Sequence, residues 1–345
     1  LRSVEKRFHH EFDLHEAAIG FETWKATGNA LPMETINFCK SSQGILLGAT
    51  GAAQWEHAAE NIPPGWGRRQ LSREMGYCAS VRPARVYPQL LNATPVKPEY
   101  IQGMDAVIVR ETRWINKKHP RTMRHTSQGW YASDKLSFRE DEILPILRFS
   151  FLLAQSRRKN LVLMAQTSIF QTSALWLRHF TEMGQQFPDV EIDTMAPDNC
   201  VMQLVRNPSQ FDVIVCDSTP MGGMLNEIAG LLMGSIGMAP GASVALRDGP
   251  DFAQMVVPNG LYEPIHGSAP RRAGQGIANP IGTVLAAAML LRYSLNLERE
   301  AKAIENAVDR VLSQGYRTYD IMGDGNIKVG TEEMGNHIAA AVEAG

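Results

Sequence analysis

The sequence predicts an α/β protein in which strands and helices alternate along the chain. Short apolar runs typical of strands lie at 106–109, 161–164 and 212–216, and helical patterns lie at 139–157, 172–183 and 221–233. This alternation is typical of a layered α/β fold. The 345 residues are enough for one large domain or two medium ones, each with an ample core.

Further elements are predicted from local patterns. Val4 and Phe8 share one side of the segment 1–12, which indicates an amphipathic helix. A short apolar run between glycines, at 44–49, is typical of a buried parallel strand. The remaining predicted elements are a strand at 13–19, a helix at 33–41 and an amphipathic helix at 297–315.

Composition narrows the class of protein. A hydrophobic fraction of 44% and a net charge of −2 indicate a soluble globular chain with no electrostatic reason to bind nucleic acid or a membrane. No apolar run approaches the roughly 20 residues that cross a bilayer, and residues 1–6 show no secretory pattern. Four cysteines without a C-x-x-C pair predict reduced thiols in a cytoplasmic protein.

A glycine-rich loop precedes an apolar helix near residue 280. Gly267, Gly274 and Gly276 allow backbone angles barred to other residues, and Asn279 before Pro280 predicts a helix N-cap followed by N1. Free N–H groups at such a helix start suit a phosphate, although an ordinary loop-to-helix turn has the same features. Side chains that add a charge or a ring are His266, Arg271 and Arg272.

The same stretch carries a family resemblance. Glu263-Pro264-Ile265-His266-Gly267-Ser268-Ala269-Pro270, followed by Gly276-Ile277-Ala278-Asn279-Pro280, resembles the cofactor loop of the isocitrate/isopropylmalate dehydrogenase family. These enzymes are metal-dependent oxidative decarboxylases, and the similarity extends from about residue 1 to 343. The resemblance implies that the adenosine half of NAD or NADP contacts Glu263, His266, Gly267, Ser268, Ala269, Pro270, Arg271, Arg272 and Asn279.

The resemblance also implies a two-domain isopropylmalate-dehydrogenase-like fold, with mixed sheets flanked by helices. The expected cofactor domain comprises 1–77 plus 234–345, and the substrate and dimerisation domain comprises 78–233. An arm at about 113–137 and the helix at 221–233 are expected to form a homodimer. The family normally has a strand, a Gly-rich turn and most of a helix before residue 1, so a truncated chain or a reduced domain is expected.

Arginines at family positions predict a small carboxylate as the ligand. Arg82 and Arg110 match two of the family's substrate arginines, which hold carboxylates by bidentate pairing. The third falls on Ser72 by spacing, and Arg73 beside it is the predicted substitute. Two further neighbours that are close enough to substitute are Arg68 and Arg69.

The family's reaction centre is altered. Gln166 stands at the position of the proton-transferring lysine and cannot titrate. Lys117 stands at the tyrosine position, where a solvated run of charges is the other interpretation. Of the carboxylates that hold Mg²⁺ or Mn²⁺ in the family, Asp198 remains, Glu227 replaces another and Gly223 replaces the third, so metal binding is expected to be weak.

The cofactor loop favours NADP over NAD. Arg271 and Arg272 follow Pro270 where NAD-using members tend to have an aspartate, and two guanidinium groups suit a 2′-phosphate. Three interpretations remain open. The chain is a divergent NAD(P)-dependent oxidoreductase of a small hydroxy acid, a non-catalytic nucleotide-binding or regulatory relative, or an ordinary isopropylmalate-type decarboxylase.

Overall fold

The computed structural model describes residues 1–51, 65–113, 121–217, 220–246 and 257–345, which form an α/β protein as the sequence predicts. The strands are β1 (Gly44–Leu46), β2 (Ala79–Arg85), β3 (Asp105–Glu111), β4 (Arg121–Thr126), β5 (Gly129–Asp134), β6 (Asn160–Met164), β7 (Glu191–Met195), β8 (Val213–Cys216), β9 (Pro240–Val244), β10 (Gly260–Pro264), β11 (Tyr316–Arg317) and β12 (Ile327–Lys328). The α-helices span Arg2–Phe8, Phe21–Thr27, Met33–Ser41, Trp66–Glu74, Pro98–Ile101, Glu140–Gln155, Gln171–Gly184, Pro197–Arg206, Pro220–Leu232, Ile281–Tyr293, Glu298–Ser313 and Thr331–Ala344.

One mixed sheet of eight strands runs through the molecule in the order β1-β10-β9-β2-β3-β8-β6-β7. The strands β3, β8, β6 and β7 are parallel, whereas β10, β9, β2 and β3 pair antiparallel. The pairing of β9 with β2, which sets Ala79 opposite Val244, joins the two predicted domain segments in one sheet. The boundaries proposed between those segments stay a prediction.

Helices cover both faces of the sheet. Alternate residues of β3 pack into two different clusters, with Ile108 in one and Val107 and Val109 in the other, because successive side chains of a strand point to opposite faces. All four residues of β8 are buried, which explains why its sequence is apolar throughout rather than alternating. The helix Glu140–Gln155 packs on the face of Val107, where Ile143 and Phe149 are buried.

Two predicted strands differ from the structure. The segment 13–19 is irregular and mostly exposed, with Leu14 48% exposed, and no described strand pairs with it. Its charged residues bury no apolar face, so the predicted strand is wrong. The predicted buried strand at 44–49 ends at Leu46 and is an edge strand of the sheet, where β10 is its one partner among the described strands and it is partly exposed.

The hairpin of β4 and β5 lies outside the main sheet, within the predicted arm. Nearly all its residues are exposed on both faces. Residues 114–120 of the predicted arm lie outside the described part of the chain. Among the described helices, none is both long enough and apolar enough to cross a membrane.

Candidate functional site

Strands β2, β3 and β9 bring polar side chains to one end of the sheet. The antiparallel register sets Ser80 opposite both Arg110 and Ser243. A cavity of about 240 Å³ opens there, next to the start of the predicted cofactor loop. It is lined by three arginines, three hydroxyl side chains and the loop residues Glu263 and His266. We call it the arginine cavity; its arginines are Arg68, Arg82 and Arg110.

Arg82 lies mostly buried in this cavity without full compensation of its charge. Its Nη2 is 3.9 Å from Glu263 Oε1, and its Nη1 is buried with no hydrogen-bond partner among the described residues. Burial lowers the pKa of Arg82 to about 10, against the opposing attraction of Glu263. A Cβ on Gly241 would lie 1.9 Å from Nη1, so a side chain there would displace the guanidinium.

Arg110 and two hydroxyls add further unpaired polar groups. Arg110 Nε, Ser80 Oγ and Thr112 Oγ1 are buried and have no hydrogen-bond partner in the described part of the chain. Buried polar groups are normally paired with protein or with ordered water. Because these atoms belong to residues that line one cavity, the arrangement suits a polar, anionic ligand.

Arg68 forms the third cation of the cavity and is paired with Glu263. Its Nε donates to Glu263 Oε1 at 3.1 Å, its Nη2 contacts the same oxygen, and its Nη2 also donates to Ser243 Oγ at 2.9 Å. Burial lowers the pKa of Arg68, but the charge and hydrogen bonds of Glu263 outweigh burial and raise it overall.

The structure places Arg68, rather than the predicted Arg73, at the cavity. Both lie on the helix Trp66–Glu74, where Arg68 and Ser72 share one face and Arg68 Nη1 donates to Ser72 Oγ at 3.4 Å. Arg73 is exposed and its guanidinium carbon lies 5.6 Å from the centre of the Trp66 ring. The helical period therefore turns Arg73 away from the site.

The proton-transfer positions are only partly described. Gln166 follows β6 and is partly buried, and its carbonyl oxygen accepts from the N–H groups of Ile169 and Phe170. Since β3, β8 and β6 are parallel, Gln166 and Arg110 both lie at the end of the sheet that holds the carboxyl ends of these strands. Lys117 lies outside the described residues.

The predicted metal ligands are not gathered into a site. Asp198 is exposed in the first turn of the helix Pro197–Arg206, where its Oδ1 accepts from the N–H of Asn199 at 2.8 Å. Glu227 is also exposed, and a Cβ on Gly223 would lie 2.9 Å from Arg110 Nη1. Within the described ranges, no three His, Cys, Asp or Glu side chains are placed to hold a metal ion. A cation beside Gly223 and dispersed carboxylates do not fit a Mg²⁺ site.

One buried carboxylate at the carboxyl ends of the parallel strands was not predicted as a site residue. Asp217 follows β8 directly, is 1% exposed, and its Oδ2 accepts from Ser173 Oγ at 2.9 Å. Its position after a buried parallel strand is the sequence signal that indicates it, because ligands of such sheets bind at the carboxyl ends of strands.

The cofactor loop is exposed from Gly267 to Gly276, apart from Ser268, which is partly buried. Gly274 and Gly276 have positive φ values of 78° and 62°, as predicted, whereas Gly267 does not. Of the two arginines that follow Pro270, Arg272 stacks on the Tyr319 ring and donates to its hydroxyl, so it is already engaged. Arg271 is exposed and has no ion pair among the described residues.

Asn279 anchors the end of this loop. Its Oδ1 accepts from the N–H of Ile281 at 3.0 Å and its Nδ2 donates to Asp320 Oδ2 at 3.1 Å. The helix begins at Ile281, so Pro280 is the N-cap residue rather than N1. Asn279 and Ile281 are 6% and 0% exposed, so this helix start is buried rather than open to the predicted phosphate.

Known proteins resemble this chain over nearly its whole length. Residues 1–338 match the family model described as isocitrate/isopropylmalate dehydrogenase. The 3-isopropylmalate dehydrogenase of Aquifex aeolicus (strain VF5) is 41% identical over 334 residues, covering 96% of this chain and 88% of that protein. The 3-isopropylmalate dehydrogenase of Pseudomonas fluorescens is 42% identical over 333 residues, covering 96% of this chain and 89% of that protein.

Solved structures resemble the fold. The isocitrate dehydrogenase from Methylococcus capsulatus superposes with a TM-score of 0.79 at 26% identity, covering 99% of this chain and 94% of that one. The β-decarboxylating dehydrogenase from Thermococcus kodakarensis, in its apo form, gives a TM-score of 0.74 at 25% identity, covering 99% of this chain and 92% of that one.

Proposed function

The chain belongs to the isocitrate/isopropylmalate dehydrogenase family of oxidoreductases, and from that membership we propose that it is a divergent NADP-dependent oxidoreductase of a small, polar hydroxy acid. The observation that carries the proposal is the arginine cavity beside the cofactor loop, with Arg82 Nη1 buried and unpaired. A buried unpaired guanidinium is stabilised by an anion, and a carboxylate fits it because its two oxygens can accept two parallel hydrogen bonds from the guanidinium.

The charge of the cavity favours a dianion. Its lining holds three arginines and one carboxylate, Glu263, which leaves two positive charges for a ligand to balance. The described apolar lining is confined to Pro264 and Ile265, while Ser80, Thr112 and Ser243 contribute hydroxyls. A compact hydroxy dicarboxylate therefore fits better than a substrate with a branched alkyl group.

In the proposed reaction, the cofactor supplies the hydride acceptor and the protein orients the substrate. A bound nicotinamide would supply the hydride acceptor for the hydroxyl-bearing carbon, and the hydroxyl proton would leave to solvent water. Arg82 and Arg110 orient the carboxylates, and Gln166 orients a polar group by hydrogen bonding because an amide has no proton to exchange near neutral pH. The described carboxylates do not form a metal site, so no step is assigned to a metal ion.

The preference for NADP rests on Arg271. Its guanidinium is exposed within the loop and forms no ion pair with a described residue, unlike Arg272, which donates to the Tyr319 hydroxyl and stacks on its ring. A 2′-phosphate offers charge-assisted hydrogen bonds to such a group, and a 2′-hydroxyl does not. We expect NADP to bind at least about tenfold tighter than NAD, or about 1.4 kcal/mol.

Titration calorimetry tests the cofactor proposal. NAD, NADP and ADP are titrated with and without Mg²⁺, into the unmodified protein and into Arg271→Asp and Arg272→Gln. Arg271→Asp should remove most of the preference for NADP, and Arg272→Gln should change it less. Equal affinities for NAD and NADP, or no effect of Arg271→Asp, would contradict the proposal.

A second candidate function is a non-catalytic, nucleotide-binding or regulatory relative. The observation that favours it is the pair of replacements at the reaction centre, Gln166 for lysine and Gly223 for aspartate. In that case NADP and small dicarboxylates bind and no hydroxy acid is oxidised. A screen of hydroxy dicarboxylates, followed by NADPH absorbance with saturating NADP, separates the two candidates.

We also propose that the protein is a homodimer. The hairpin of β4 and β5 exposes Met123 and Trp130 by 77% and 76%, and the helix Pro220–Leu232 exposes Met224 and Leu231 by 61% and 51%. Met224 and Leu231 are seven residues apart and so lie on one side of the helix. We propose that these side chains form apolar patches that pack against the partner subunit, since contiguous exposed apolar patches mark interaction surfaces.

A further inference from the structure

A second, larger cavity lies at the other end of the same strands. Near its end, strand β3 contributes Arg110 to the arginine cavity, and it begins at Asp105, which lines this second site. The strand length separates the two by about 17 Å. We call the second site the amino-end groove; its volume is about 660 Å³, within the range of small-molecule sites.

The floor of the groove is apolar. Val107, Leu153, Leu285 and Met289 line it, and each is buried in the core. Tyr87 and Tyr293, which are 2% and 7% exposed, add two aromatic rings to the lining. A concave apolar floor of this kind binds the hydrocarbon part of a ligand.

Two arginines at the rim are already neutralised. Arg292 Nε donates to Glu298 Oε2 and Arg292 Nη1 to Glu305 Oε1, both at 2.6 Å. Arg157 Nη2 donates to Asp105 Oδ1 at 2.9 Å, and its Nε donates to Asp212 Oδ1 at 2.8 Å. These pairs hold the rim in place and leave neither guanidinium free for a ligand.

Two other cations at the rim are not neutralised. Arg85 and Lys302 are exposed, and among the described residues neither has a carboxylate within ion-pairing distance. The guanidinium carbon of Arg85 instead lies 5.1 Å from the centre of the Tyr87 ring. The three carboxylates of the lining pair with Arg157 or Arg292, so Arg85 and Lys302 are the cations of the lining left to contact a carboxylate.

We propose that the amino-end groove is a second ligand site that binds a monocarboxylate with an apolar aryl or branched alkyl body. The body packs on the floor against Val107 and Met289, and the carboxylate lies at the rim with Arg85 and Lys302. The proposal is independent of the function assigned to the arginine cavity, because no residue lines both sites.

Calorimetry with 3-phenylpropionate as the probe tests the site. The neutral analogue 3-phenylpropanol and the compact dianion succinate serve as comparison ligands. The probe should bind at least about tenfold tighter than the alcohol, since the alcohol forms no charge-assisted contact with the rim. The double variant Arg85→Gln with Lys302→Gln should lose that difference, and Lys328→Gln, an exposed cation outside the groove, should keep it.

Two more variants decide where the probe binds. Ser156→Trp adds a bulky side chain to the groove lining from an exposed position and should abolish binding of the probe. Arg82→Gln should weaken succinate binding in the arginine cavity and leave the probe unaffected. Probe binding that survives Ser156→Trp, that is lost in Arg82→Gln, or that is absent in the unmodified protein would overturn the proposal.

Discussion

At the scale of single residues, Gly241 controls the position of Arg82. Because a Cβ there would lie 1.9 Å from Arg82 Nη1, Gly241→Ala should push the guanidinium out of its place. We expect the affinity for a small dicarboxylate such as malate to fall by at least about tenfold in calorimetry. Gly335→Ala is the matched control, because its Cβ meets nothing within 4 Å and lies in a helix. Unchanged malate binding in Gly241→Ala would show that Arg82 does not hold the anion.

The Arg68–Glu263 ion pair should contribute to stability and compete with an anionic ligand for Arg68. Glu263→Gln leaves Arg68 mostly buried without its carboxylate, which should cost about 3 kcal/mol in the free energy of unfolding. The same change frees a third cation, so added malate should raise the melting temperature more than it does in the unmodified protein. The double variant Arg68→Gln with Glu263→Gln should lose this extra gain. A smaller response of Glu263→Gln to malate would contradict the competition between Glu263 and the ligand.

These arginines also show what sequence reveals at the residue scale. Arg82 and Arg110 were predicted because each has a motif around it, and both line the cavity. Arg68, Arg69 and Arg73 share one short helix with no motif to choose between them. Which of these arginines faces Glu263 depends on how the helix is rotated about its axis relative to β10. That rotation is set by tertiary packing, which the local sequence does not reveal.

At the scale of elements, burial decides which predictions succeed. Strand β8 is apolar and buried throughout, so its pattern is strong, and the structure confirms it. The segment 13–19 has a weaker pattern, lies mostly exposed and is irregular. The start of the helix at Ile281 was predicted from Asn279 and Pro280 within one residue, but its burial depends on packing against 236–239, which local sequence does not encode.

At the scale of elements, we expect the hairpin of β4 and β5 to pack against a partner subunit. Both its faces are exposed, and a two-stranded hairpin is marginally stable alone, so a partner subunit should cover it. Light scattering at micromolar concentration should give the mass of a dimer. Met123→Ser with Trp130→Ser should shift the protein toward monomer, whereas Met33→Ser, at another exposed methionine, should not. A monomeric mass for the unmodified protein would contradict the dimer.

At the scale of the whole molecule, one sheet connects the two cavities. Strand β2 has Arg82 in the arginine cavity and Arg85 in the amino-end groove, and β9 has Ser243 in the first and Pro240 in the second. The sheet core between them is fully buried, so both sites rest on one rigid framework. Sequence predicted two arginines of the first cavity, Arg82 and Arg110, through a family motif, whereas no motif indicates the lining of the second.

The last prediction concerns turnover. The resemblance predicts a lysine and a metal aspartate at the positions of Gln166 and Gly223, and general acid–base steps are worth roughly 10² to 10⁴ in rate. We therefore expect oxidative decarboxylation of isopropylmalate and isocitrate to be near background in an NADPH absorbance assay. Gln166→Lys with Gly223→Asp should raise any residual rate.

In the double variant Gln166→Lys with Gly223→Asp, the new aspartate would lie beside Arg110. Because Arg110 Nη1 lies 2.9 Å from the Cβ position of Gly223, an aspartate there meets that guanidinium first, and it will pair with Arg110 before it binds a metal. The double variant should therefore need a higher Mg²⁺ concentration than an ordinary member of the family. Gln166→Lys alone, which introduces the lysine that the resemblance predicts and leaves Arg110 undisturbed, is the matched comparison. Turnover of isopropylmalate by the unmodified protein at ordinary enzyme rates would show that other groups supply the missing base and metal ligand.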